Sequence, residues 1–155
     1  VARYVSAIAN GGTVYDAQLV DKIIAPDGTV VLEKQPVVAN RIDADPSYFA
    51  AIQEGMGDVT SREEGGTASK YYEGIDYIAA KTGTSQRTKL DVENNAWLVA
   101  YAPYDDPKIV VVVYIQNGYA GSHSAYAAKA TIEYFLDHLG GYDSTTEDTE
   151  YTLSD

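Results

Sequence analysis

Apolar residues recur along this chain at two periods, and the switches between them mark its elements. Val1, Tyr4, Val5 and Ile8 fall at i, i+3, i+4 and i+7, one face of a helix over residues 2–10 that Asn10, Gly11 and Gly12 stop. β-rich runs over 13–25 and 29–33 meet at Pro26-Asp27-Gly28. Proline presets φ, aspartate bonds its own turn and glycine accepts positive φ, so the pair predicts an N-terminal β-hairpin. Asp45 followed by Pro46 is an N-cap with proline at the first helical position. Tyr48, Phe49, Ile52 and Met56 then line one face of a helix over 46–57. Residues 58–76 mix charge with Gly65-Gly66-Thr67-Ala68 and read as a loop holding a short helical piece.

Three strand-like runs follow, over 77–86, 96–101 and 108–116. A polar connection, 87–94, separates the first two, and a turn bounded by Pro103 and Pro107 separates the last two. Ser122 is placed to cap a last helix over 123–139, with Ala128, Ile132, Phe135, Leu136 and Leu139 on one face and Gly140-Gly141 as its stop. Consecutive antiparallel strands with helices before and after them make an α+β class, helices packed on a sheet. Residues 1–141 read as one domain. The segment 142–155 carries Asp143, Glu147, Asp148, Glu150 and Asp155 without a basic residue and reads as a solvated, disordered tail.

Composition narrows the function classes. The chain has 155 residues, enough for one domain with a real core. Its formal net charge is -12, which argues against nucleic acid or a polybasic membrane patch, because a phosphate backbone demands clustered Lys and Arg. With no cysteine, disulfides and thiolate metal sites are excluded and the redox compartment stays open. No apolar run reaches the ~18–20 residues needed to cross a bilayer. The chain opens on Val1-Ala2-Arg3-Tyr4, already inside a helical pattern, and is expected to be part of something longer.

The candidate chemistry sits at the end of the first strand, Ala79-Ala80-Lys81-Thr82-Gly83-Thr84-Ser85-Gln86. Its apolar start gives way to a cation, hydroxyls and a glycine, the mark of a strand that stops packing and presents polar groups. A phosphate-binding loop would need glycine directly before the lysine and five positions further back. Those positions are Ala80 and Ile75, so that pattern fails. His123 and His138 lie fifteen apart without H-E-x-x-H spacing, and no metal site is expected.

Lys81-Thr82-Gly83, continued as Thr84-Ser85-Gln86, resembles the third motif of the penicillin-recognising serine enzymes. Gly55-Met56-Gly57 and Gly66-Thr67-Ala68 lie ahead of it, and Asn95-Ala96-Trp97-Leu98-Val99-Ala100-Tyr101-Ala102-Pro103 follows. That order is similar to the last third of the class B penicillin-binding proteins, the transpeptidases of cell-wall synthesis. The opening Tyr4-Val5-Ser6-Ala7-Ile8-Ala9-Asn10-Gly11-Gly12-Thr13 matches the same family, so the resemblance covers about residues 1–140. The β-lactamases and small carboxypeptidases share the fold and the K-T-G but lack the Gly-Thr-Ala segment at this distance.

The resemblance implies acyl transfer: a serine attacks the D-Ala-D-Ala end of a stem peptide and a neighbouring amine resolves the acyl-enzyme. Lys81 would then supply positive charge and help handle the proton and the carboxylate. Thr82 and Thr84 would bond the carboxylate of substrate or β-lactam, and the Thr84 N–H would be one of two oxyanion donors. Gly83 would let the substrate backbone approach this strand, with Ser85 and Gln86 as further members. Strict alternation puts Thr82, Thr84 and Gln86 on one side of the strand and Lys81, Gly83 and Ser85 on the other. Trp97 is expected to pack beneath the strand, Tyr71, Tyr72 and Tyr77 to be half-buried packing, and Gly66, Thr67 and Ala68 to shape the neighbouring wall. No cofactor and no metal are implied.

The family places its nucleophile and activating lysine in S-x-x-K and a proton-handling serine in S-x-N, both upstream of the opening helix. No serine of this chain is followed by Lys at the third position or Asn at the second. The expectation is one wall of a transpeptidase cleft, inactive alone, from an exported, membrane-anchored parent acting outside the cytoplasmic membrane. The alternative is a non-catalytic sensor or protein-binding module that retains the sheet. The family also flanks the strand ending at Gln116 with the domain's first strand, which this sequence lacks. Self-association, or pairing with the missing half, is therefore expected through that edge.

Overall fold

Helix α1 (Ala2–Ala9) ends where the glycines were expected to end it. The Gly12 amide reaches the Ala7 carbonyl at 2.7 Å, with φ of 75° at Gly11 and 114° at Gly12, so left-handed backbone closes the helix. Asn10 fastens the exit to strand β1 (Thr13–Tyr15): its Oδ1 accepts the Thr13 N–H and its Nδ2 donates to the Thr13 carbonyl. The computed structural model describes residues 1–61, 63–86 and 93–139. The segment 142–155 and most of the 87–94 connection lie outside the described residues.

The long β-rich run divides, which corrects the expected hairpin. Only its second part, β2 (Lys22–Ile24), pairs with β3 (Val30–Glu33) around the predicted turn, where Thr29 N–H donates to Asp27 Oδ1 and Gly28 has φ 83°. Its first part, β1, pairs instead with β4 (Val38–Arg41), a strand that sequence pattern did not single out. Local propensity sees β character but not which strand a segment will pair with. Helix α2 (Pro46–Asp58) begins as read, the Asp45 carboxylate accepting the Ser47 N–H at 2.9 Å. That bond favours the ionised form and holds the Asp45 carboxyl below its usual range. Gln53 then donates to the Ile8 and Ala9 carbonyls at the end of α1 and ties the two helices together.

The centre of the molecule is an antiparallel sheet of β5 (Ala79–Ser85), β6 (Asn95–Ala102) and β7 (Ile109–Ile115), ordered β5-β6-β7. Thr82 lies opposite Leu98, and Gly83 opposite Trp97. One face carries Ala80, Leu98, Ala100 and Val111 against Ala125, Ala128 and Ile132 of helix α3 (Ala125–His138), with Tyr72 and Ile78 in the same cluster. The other carries Ala79 and Tyr101 against Ala9 of α1 and Met56 of α2. Helices thus cover both faces, and strand β6 between them is the most buried. A fully buried aliphatic side chain such as Ile132 is worth roughly 1.5–3 kcal/mol.

Two helix faces extend beyond the core. Val1 and Tyr4 of the predicted α1 stripe are exposed, as are Tyr48 and Ile52 of α2, while Val5, Phe49 and Met56 are buried. Helix α3 starts later than expected: Gly121–Ser124 forms a 3-10 turn, and Ser124, not Ser122, occupies the N-cap position.

Candidate functional site

The pleat sorts the β5 residues onto two faces, as alternation requires. Lys81 and Gly83 lie on the α1 side, opposite Val99 and Trp97. There Val1, Tyr4, Lys81, Gly83, Trp97 and Val99, together with Thr82 between the two β5 residues, line a cleft of about 240 Å³. Lys81 is exposed, and its Nζ donates to the Thr82 carbonyl at 2.6 Å. Gly83 is tight against its neighbour, since a Cβ there would sit 3.3 Å from Trp97 Cβ. Trp97 therefore does more than pack beneath the strand: half-buried, with its ring centroid 4.5 Å from that of Tyr114, it also forms a wall of this cleft.

Thr82 and Thr84 lie on the α3 side, and each hydroxyl has a partner from a distant segment. Thr82 Oγ1 is 2.9 Å from Thr67 Oγ1. Thr84 Oγ1 accepts the Gly121 N–H at 3.1 Å. Ser85 ends the strand and Gln86 lies just beyond it, so the strand is shorter at both ends than the expected 77–86. Lys81, Thr82, Gly83 and Thr84 are thus brought together on one strand, with the cation and the hydroxyls on opposite faces of its edge.

Gly66 and Gly121 make this arrangement possible by close approach. Gly66 has no room for a Cβ against the Asp58 and Val59 carbonyls, and Ala68 behind it is fully buried. A Cβ on Gly121 would meet Gly83 N at 2.6 Å and Trp97 O at 2.7 Å, so the 3-10 turn lies directly on the β5 and β6 backbones. Sequence reasoning gave Thr67 only a shaping role and did not single out Gly121. The signal for Thr67 was the hydroxyl inside a Gly-Thr-Ala run. For Gly121 nothing local marks a contact with a residue 37 positions away.

The aromatic packing is tighter than the expected half-burial at Tyr71 and Tyr72, whereas Tyr77 is half-buried as expected. Tyr72 is 1% exposed, its hydroxyl donates to the Ala125 carbonyl at 3.3 Å, and burial pushes its phenol up to about 12. Tyr71 is buried as well, edge-on to Tyr126 and beneath Lys70, whose Nζ is 4.7 Å from the ring centre. His123 Nδ1 lies 3.0 Å from the Gly118 carbonyl, and His138 Nδ1 the same distance from that of Tyr134. A larger concavity, about 460 Å³, lies near Gly57, Tyr72, Asp76 and Tyr104 and is lined by none of the β5 candidates. It lies at the strand's apolar start, where Thr60 Oγ1 bonds the Ile78 carbonyl, away from the polar end.

Residues 1–134 match the family described as the penicillin binding protein transpeptidase domain. Penicillin-binding protein 2A of Bacillus subtilis is 36% identical, the match covering 82% of this chain and 19% of that protein. Peptidoglycan D,D-transpeptidase MrdA of Haemophilus influenzae is 29% identical over 88% of this chain and 23% of its own length. The chain therefore spans about a fifth of the length of these relatives. Among solved structures, penicillin-binding protein A from M. tuberculosis as its imipenem acyl-enzyme superposes with a TM-score of 0.71 at 29% identity, over 87% of this chain and 29% of that one.

Proposed function

Since this chain belongs to the penicillin binding protein transpeptidase domain family, we propose that it is the C-terminal part of a peptidoglycan D,D-transpeptidase domain of class B type and forms one wall of its acyl-transfer cleft. The observation that carries the reading is strand β5, which presents Lys81, Gly83 and Thr84 at an edge that no other strand pairs among the described residues, beside the small cleft of Tyr4 and Trp97. Lys81 offers positive charge to the substrate carboxylate and to the proton transfers of acylation. Thr82 and Thr84 bond that carboxylate through their hydroxyls. The Thr84 N–H donates to the developing oxyanion, the position at which a preorganised donor has most leverage on the rate. Gly83 admits the backbone of the stem peptide, which adds to β5 as a further strand. Ser85 and Gln86 extend the contact along the peptide.

The ligands of the intact domain are stem peptides ending in D-Ala-D-Ala and β-lactams, acting at the extracytoplasmic face of the cell membrane. Among the described residues no helix is long and apolar enough to cross a membrane. The nucleophile comes from outside this chain, which alone is inactive. Fluorescent penicillin tests this directly: the chain alone should take no label, and the intact domain should take label on a serine outside residues 1–155. A label on any serine of this chain would overturn the reading, and so would an intact domain that takes none, the outcome expected of a non-catalytic module.

Strand β7 bears on partners. Among the described residues it pairs only with β6, leaving its outer edge free, with Tyr114 and Ile115 exposed. An open apolar edge is a template for another strand. The isolated chain should therefore self-associate, or pair with the rest of the domain, through β7. A monomer across a wide concentration range in solution scattering would count against this.

A further inference from the structure

The two β5 threonines differ from free hydroxyls in what their partners leave available. Thr84 Oγ1 accepts the Gly121 N–H, so a lone pair is engaged and the Thr84 proton remains to donate outward. An amide cannot reverse its role, so this polarity is set before any ligand arrives. Thr82 Oγ1 and Thr67 Oγ1 lie 2.9 Å apart, a distance at which one hydroxyl donates to the other. An arriving carboxylate accepts only. Thr82 then has to donate to it, and the pair settles with Thr67 donating to Thr82. Hydrogen bonds in series polarise one another, so each outer bond gains from the one behind it.

The geometry suits one anion held by both hydroxyls. Residues two apart on a strand are separated by about 6.6–6.8 Å, a gap that a carboxylate spans when each oxygen takes one donor. Thr67 is held for this task. The Gly66 N–H donates to the Ser61 carbonyl at 2.9 Å and the Ala68 N–H to the Val59 carbonyl at 3.0 Å, so the backbone is pinned on both sides of an exposed side chain. We infer that Thr67 is a positioning residue for carboxylate recognition, acting through Thr82, and that with the Gly121 amide it sets both β5 hydroxyls as donors. This rests on the reading above in which Thr82 and Thr84 take the carboxylate.

The test uses the intact transpeptidase domain and two probes, benzylpenicillin and its methyl ester, with the acylation rate constant measured for each. The wild type should favour the free acid. Thr67→Val should lower the acid-to-ester ratio about five- to tenfold, the loss expected for one neutral hydrogen bond standing behind the Thr82 hydroxyl, with the ester rate unchanged. Thr67→Ser should restore the ratio to within twofold, and in a Thr82→Val background Thr67→Val should have no further effect. Equal loss for both probes, or no loss for either, would overturn the role of Thr67 while leaving the carboxylate reading intact. A wild type that does not favour the acid would overturn the carboxylate reading and this inference with it. Loss in both Thr67→Val and Thr67→Ser would overturn it too, since the serine keeps the hydroxyl.

Discussion

Gly121→Ala is the most informative perturbation, because one methyl group tests whether a turn 37 residues away from Thr84 holds strand β5. A Cβ at this position would sit 2.6 Å from Gly83 N and 2.7 Å from Trp97 O, both backbone atoms of a paired sheet. Carbon contacts are comfortable near 3.5 Å, so the turn must retreat by about 1 Å. That retreat stretches the 3.1 Å Gly121 N–H bond to Thr84 Oγ1 beyond useful range and loosens the start of α3. Overpacking costs roughly 1–3 kcal/mol and the lost hydrogen bond about 1, for a total of about 2–4 kcal/mol. Gly55→Ala is the matched control, since nothing lies within 4 Å of its Cβ position and the residue is helical. It should stabilise by about 0.5–1 kcal/mol. Urea unfolding of the intact domain should show the midpoint falling for Gly121→Ala and rising for Gly55→Ala at constant m. Acylation by benzylpenicillin should fall for the first variant alone. A Gly121→Ala midpoint equal to wild type would refute the close approach and, with it, the account of how β5 is held.

Ile132→Ala removes a fully buried side chain from the α3 face of the sheet and should cost about 2–5 kcal/mol in urea unfolding, whereas Leu139→Ala at the exposed helix end should stay within about 0.5. Burial pushes Tyr72 and Tyr101 up to about 12 from 10.0. The folded chain then keeps phenolic protons that the unfolded chain releases, so their contribution is complete below pH 10 and is lost as pH rises toward 12. That loss is roughly 2–3 kcal/mol for each tyrosine, and an absorbance titration in which both phenols ionise near 10 while the fold persists would contradict it. Lys81→Met in the intact domain should lower acylation by roughly 10²–10³-fold with little change in unfolding midpoint. A rate near wild type would remove Lys81 from the proposed cleft.

Much of the fold is legible in the chain because its signals are local. Asp45-Pro46 starts α2, Asn10-Gly11-Gly12 ends α1, and Pro26-Asp27-Gly28 turns β2 into β3, each through the backbone preferences of two or three adjacent residues. What was misread is non-local. The pairing of β1 with β4 depends on residues 23 and more positions apart, and nothing in 13–25 states that its two ends will join different partners. The helix faces show the same limit: Tyr4, Tyr48 and Ile52 are on pattern, but exposure depends on whether another element arrives to cover them.

The site divides along that line. Sequence by itself determines that Lys81, Thr82, Gly83 and Thr84 are consecutive on a strand, and hence that the pleat sends the cation and the hydroxyls to opposite faces. It also determines that neither S-x-x-K nor S-x-N is present. Only the tertiary structure decides what stands behind each hydroxyl: Thr67 from a pinned loop, and the amide of Gly121 from a turn that a single Cβ would displace. The reason is physical. A strand's alternation follows from its own backbone geometry, whereas the polarity of a hydroxyl is set by whichever donor the rest of the chain folds against it.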